Sequence, residues 1–256
     1  SNKCGMEMSK TDLGKELKTK SCCKDEVDVI EGLDDLTVKT FDDLEDLQKH
    51  SDYLENVCVI SVSKTSDFYH QEGEYKDNNK AADFFKNLLA NVFSEDCGFY
   101  FPLWIKEKIS KAFAKRLVAE VHRFFFRNKG TLSQLERQDF IEIFYQFMIL
   151  KVIEVYEPHT FSLTCKDGLD VGGASSVSLL AFLKLLNGQK ITEEDLSLFY
   201  MLIFGMPLKI RERALLNDRF SRMVHMMERI DKSLSASKGE SSHKTIQNHF
   251  RKLFEM

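Results

Sequence analysis

Cys165 closes an alternating run, Thr160-Phe-Ser-Leu-Thr-Cys165, and is followed by Lys166-Asp-Gly-Leu-Asp-Val-Gly-Gly173. The alternation predicts a strand, and Ala174 to Leu186 has helical periodicity, so His159 to Lys184 reads as strand–turn–helix. In such a loop of small residues, backbone N–H groups converge with the positive end of the helix dipole. That is an anion site. A thiol at the strand's end is favoured as thiolate by the same field. The available chemistry is nucleophilic attack by Cys165, or capture of an anion by the loop carrying Lys166, Gly168, Asp170, Gly172 and Gly173. The rival reading is structural: cysteine packs as a small hydrophobe, and a Gly-Gly pair is a common connection before a helix.

The same segment resembles the signature loop of cysteine-dependent phosphatases, above all the inositide phosphatases of bacterial effectors and their lipid-phosphatase relatives. Their loop reads Cys-Lys-Ser-Gly-Lys-Asp-Arg-Thr-Gly. This chain matches at Cys165, Lys166, Gly168, Asp170 and Gly173. The resemblance implies a phosphatase-like fold, Cys165 as the nucleophile, and loop amides that hold phosphoryl oxygens. Val171 stands where the family has its arginine, and Gly172 where it has a hydroxyl. Arginine grips a phosphoryl group with a rigid bidentate fork, and valine has neither charge nor donor. Removing one preorganised donor from a transition state costs on the order of 10²–10³ in rate. The expectation is a catalytically degenerate, phosphatase-like protein that binds a phosphorylated ligand or a host protein. Two alternatives stay open: an active enzyme pairing Cys165 with an arginine from elsewhere, and a helical interaction protein whose loop is structural. The chain's texture also resembles uncharacterised proteins of obligate intracellular chlamydial bacteria. That resemblance implies an effector in the bacterial cytoplasm or the host cytosol.

An arginine from elsewhere has a source. Lys209, Arg211, Arg213, Arg219, Arg222 and Arg229 make the last long helical segment basic. Packed near the loop, one of them could replace the missing side chain. The plainer expectation is a solvated face pairing with the acidic segment from Asp25 to Glu55. His159 follows Glu157-Pro158 and reads as part of a helix stop or as a loop partner. His122 and His225 have no evident role.

The elements that must position these residues follow from composition and periodicity. With 21 Phe, 12 Gly and 3 Pro in 256 residues, aromatics are abundant and breakers scarce. This favours an α+β, predominantly α-helical fold, with long helices on a small sheet. The net charge of −4 gives no basis for nucleic-acid binding. Cys4, Cys22, Cys23, Cys58, Cys97 and Cys165 show no zinc spacing and are too few for a disulfide scaffold, so reduced thiols are expected, with no metal or cofactor. No apolar run is long enough to span a bilayer.

Along the chain, residues 1–24 read as a flexible segment, 25–234 as one helix-rich domain, and 235–256 as a flexible tail with a short helix. Acidic helices are expected over 25–55, a strand over Asn56 to Ser63, and a polar loop to Asn79. One helix is expected around Phe84 to Val92, one from Pro102 to Phe124, and one from Ser133 to Tyr156. After Gly188, Thr192 caps a helix to Phe204. Gly205 and Pro207 then precede a last long helix from Leu208 to Leu234. Phe124–Phe126 and Met226–Met227 are expected in the core.

Overall fold

β-branched residues concentrate in short runs such as Val57–Ser63, whereas Phe and the helix-forming residues fill the longer segments. The computed structural model describes residues 3–9, 57–94, 97–165, 169–236 and 241–254. Over these residues the chain is predominantly helical. Three strands, β1 (Lys3–Ser9), β2 (Val57–Ser63) and β3 (Thr160–Cys165), pair antiparallel in the order β2-β1-β3. Met6 lies opposite Ile60 on one side and Leu163 on the other. Lys3–Ser9 therefore departs from the flexible segment expected there. A strand lying between two others has both rows of backbone groups bonded, which outweighs a locally polar sequence. Ser61 and Tyr100 exchange backbone hydrogen bonds of 2.9 and 3.0 Å, which covers the outer edge of β2.

The helices, in chain order, are α1 (Asp67–His70), α2 (Ala81–Val92), α3 (Leu103–Lys108), α4 (Lys111–Phe126), α5 (Gln134–Tyr156), α6 (Asp170–Leu186), α7 (Glu193–Tyr200), α8 (Met206–Arg211), α9 (Asn217–Ala236) and α10 (Ser241–Phe254). The expected polar loop before Asn79 contains α1, which Ser66 caps and which buries Phe68 and Tyr69. The helix expected from Pro102 to Phe124 is divided. The Ser110 hydroxyl accepts from Phe113 N and starts α4 afresh. No break falls at Gly205–Pro207. Met201–Gly205 forms a π-turn, and Pro207 sits in the first turn of α8, where its missing N–H costs little. The chain breaks instead at Glu212, whose φ is 53°.

α5 is buried along most of its length. Ser133 and Glu136 form a reciprocal capping box at its start, and Glu157 in the left-handed conformation ends it. Its Phe140, Phe144 and Phe147 lie in the main core with Phe84, Phe126 and Phe182. Phe147 stacks on Phe250 of α10 at 3.9 Å between ring centroids. Ile246, Phe250 and Leu253 are buried, so the tail expected to be flexible is, over Ser241–Phe254, part of the core. The i, i+4, i+7 spacing of those three residues supplies one apolar stripe. As expected, Phe125, Phe126 and Met226 are core residues. A second, smaller core joins α6, α7, the π-turn and α9 through Val177, Ala181, Phe199, Ile203 and Met223.

Candidate functional site

α6 begins at Asp170, four residues earlier than its apolar periodicity suggests. Gly172 and Gly173 are therefore inside the helix and not in the preceding loop. A Cβ on Gly173 would lie 3.2 Å from the Leu202 carbonyl oxygen, so glycine there lets α6 approach the π-turn. Gly172 is buried, and its carbonyl accepts from Ser176 Oγ at 3.0 Å. Asp170 takes a bidentate pair from Arg213 at 2.6 and 2.9 Å and faces Leu216 N at 3.4 Å. The hydrogen-bonded Arg213 holds the Asp170 carboxyl below its usual range, against the effect of burial. Asp170 thus straps the break before α9 to the start of α6. Of the expected anion loop, these three residues serve packing and strapping. Cys165 ends β3 with its backbone opposite Cys4, and Lys166 and Gly168 lie outside the described residues.

Val171 faces a different feature. With Ala174, Ser175 and Ser178 of α6 it lines a cavity of about 10 Å3, closed by Lys64, Tyr69, Glu142, Arg219 and Met223. That is room for about one water-sized group. Lys64, one residue beyond β2, is buried and pairs with Glu142 of α5 at 2.9 Å. The other Glu142 oxygen accepts from the Tyr69 hydroxyl. Arg219 Nη1 donates to the Lys64 carbonyl at 2.8 Å. Over the Tyr69 ring lie the guanidinium carbons of Arg222 at 4.1 Å and Arg219 at 5.5 Å. Arg222 Nη2 reaches His70 Nδ1 at 3.4 Å.

Burial opposes the charge on Glu142, yet Lys64, Arg222 and the Tyr69 hydroxyl together hold its carboxyl below its usual range. Burial, followed by the neighbouring Glu142 charge, pushes the Tyr69 hydroxyl up to about 12, so it stays a neutral donor. Burial and then Arg222 and Arg219 lower His70. Among the described residues, three cations thus meet one buried carboxylate. Asp218, half exposed, comes within 3.5 Å of Arg219 Nε. Three buried polar atoms of this cluster make no hydrogen bond: Ser175 Oγ, Arg219 Nε and Arg222 Nη1. Each such atom costs about 1–3 kcal/mol while its bond is unmade. The cluster offers surplus positive charge and spare donors, which is the chemistry for receiving an anion oxygen.

The basic segment is therefore not the solvated face expected of it. Arg213 holds Asp170, Arg229 holds Asp139 at 2.7 Å, and Arg222 is 7% exposed. Its expected acidic partner over 25–55 lies outside the described residues. His159 is exposed, and His122 Nε2 bonds the Lys129 carbonyl at 2.8 Å. Neither Lys64 nor Glu142 has a sequence signal of its own, since 78 positions separate them. A signal did exist in α5, where Asp139, Glu142 and Gln146 interrupt a run of core residues. Among the described residues, no group of His, Cys, Asp and Glu could hold a metal ion, and no helix is long and apolar enough to cross a membrane. No family model, curated protein or solved structure matches this chain.

Proposed function

We propose that this protein is a phosphatase-like, catalytically degenerate binding module that captures a phosphorylated ligand without turning it over, in the bacterial-effector setting its loop resemblance implies. One observation carries the reading. Lys64 and Arg219 line a cavity at the start of α6 beside the buried Glu142 carboxylate, Arg222 lies over the Tyr69 ring of the same wall, and Ser175 Oγ, Arg219 Nε and Arg222 Nη1 make no hydrogen bond. With Glu142 buried among them and the half-exposed Asp218 beside Arg219, the three cations keep one surplus charge, which is costly in a poorly solvated cluster until an anion neutralises it. The first turn of α6 adds its dipole on the same side. All the spare groups are donors, or a hydroxyl that can act as one, which suits holding charge.

A second reading has one specific support. Val171 stands at the phosphatase arginine position, and Arg219 lines the same cavity. Arg219 would then supply the guanidinium to an active Cys165 enzyme. One pair of measurements separates the two readings. For the binding reading, inorganic phosphate raises the thermal midpoint of the intact chain, Arg219→Met/Arg222→Met removes that rise, and inositol phosphates are not hydrolysed. Hydrolysis that Cys165→Ser abolishes would establish the second reading instead. No phosphate-dependent rise, with no hydrolysis, would sink both.

A further inference from the structure

The anion cavity has an apolar neighbour. A second cavity, of about 30 Å3, lies between the sheet and α5. Ile60 and Val62 of β2, Leu163 of β3, and Met148 and Val152 of α5 form its walls. Lys64 and Ser175 line both cavities. Ser175 is 3% exposed, and its hydroxyl makes no hydrogen bond. An apolar void in a core otherwise filled by stacked aromatic rings gives up dispersion contacts on every wall. Voids of this kind stay dry and accept small apolar guests.

The geometry points to an anion bearing a short alkyl group: one oxygen of the charged end enters the small cavity at Lys64, Arg219 and Ser175, and the alkyl chain enters the neighbouring void that shares Lys64 and Ser175. This inference rests on the anion-site reading above and adds the class of ligand. The volume limits the chain to about two or three carbons, because one water needs roughly 10–15 Å3 of such space. Each methylene taken out of water strengthens binding about fourfold. Propyl phosphate is therefore expected to bind on the order of tenfold more tightly than methyl phosphate, with no further gain at hexyl phosphate. A parallel comparison of butyrate with acetate shows whether the charged end is a carboxylate.

Calorimetric titration of the full chain with both series tests this. Val152→Leu or Val62→Ile, each adding one carbon to the cavity wall, is expected to erase the chain-length gain and leave the response to inorganic phosphate unchanged. Two variants at separate walls guard against one of them disturbing the fold. Inorganic phosphate binding with equal affinities along both series would overturn the alkyl inference and leave the anion site standing. A chain-length gain in the carboxylates alone, with no phosphate binding, would overturn the phosphate reading and keep the alkyl inference. No response to any of these ligands would overturn both.

Discussion

Arg137 and Arg222 are both buried arginines, and their surroundings differ in one respect that separates structure from function. Arg137 is fully buried, and every nitrogen has a neutral acceptor. Nε donates to Gln71 Oε1, Nη1 to Asn79 Oδ1 and the Leu132 carbonyl, and Nη2 to the carbonyls of Tyr75 and Lys76. Those acceptors belong to the irregular stretch after α1 and to the turn before α5, so one side chain fixes both. Nothing is left over for a ligand. Arg222 reaches the His70 ring at 3.4 Å and keeps an Nη1 that makes no hydrogen bond, beside Arg219, whose Nε makes none either and has only the half-exposed Asp218 at 3.5 Å. A saturated buried cation is a structural pin, whereas an unsaturated one beside a cavity is a receptor.

The contrast can be broken or sharpened in order of expected effect. Arg137→Met should cost the most, about 4 kcal/mol or more, because several buried acceptors lose their donor together. Chemical denaturation measures it, and added phosphate should not restore the loss. Glu142→Gln should cost about 3 kcal/mol, since it leaves Lys64 and Arg222 without their buried counter-charge. At roughly 2–4 °C per kcal/mol, its thermal midpoint falls by about 6–12 °C, and here phosphate should recover more than it adds to the unaltered chain. Arg222→Met should change stability by about 1 kcal/mol or less, because it relieves surplus charge as it removes contacts. A loss as large as that of Arg137→Met would place both arginines in the same structural class and remove the distinction.

The smallest effect is one of pH. In the unfolded chain His70 titrates near 6.5. In the folded chain burial lowers it first, then Arg222 and Arg219, opposed by Glu72 and Asp218. Below about 6.5 the unfolded chain binds that proton more readily, so stability falls as pH drops below this value and recovers as it rises. His70→Asn should flatten that slope between about pH 5 and 7 in denaturation midpoints. A slope unchanged by the substitution would show that neither burial nor the neighbouring arginines lower His70 in the folded chain. The carboxylates act in a separate, more acid window. Asp170 and Glu142 are held below their usual range, so their share of stability is present above it and disappears as pH falls through their folded values.

How legible each part was depends on whether its cause is local. α5 could be read end to end because Ser133 with Glu136, the Phe periodicity and Glu157-Pro158 lie within one helix and its caps. β2 and β3 were readable from β-branched and alternating runs. The pair Gly172–Gly173 was not, because two glycines suit a phosphate loop or a tight helix contact equally well. The Leu202 carbonyl, 29 positions away, decides between them. Nor was Lys3–Ser9, whose strand pairing depends on partners 48 or more residues downstream. The basic segment misled for the same reason: its arginines recur on a helix as surface charges do, and only the positions of Asp170, Tyr69 and Asp139 turn them inward.

By itself the sequence determined a predominantly helical, Phe-rich chain and the main elements, and it placed a thiol, a lysine and an aspartate close together at Cys165, Lys166 and Asp170. Those properties follow from short-range propensity and periodicity, which act within a few residues. The tertiary structure alone decided where surplus charge gathers. It brought Lys64, Tyr69 and Glu142 to Arg219 and Arg222 across separations that no local pattern encodes, and it placed Val171 and Arg219 on one cavity. Electrostatic surplus and unmade hydrogen bonds are properties of distance in space, so they exist only once the chain has folded.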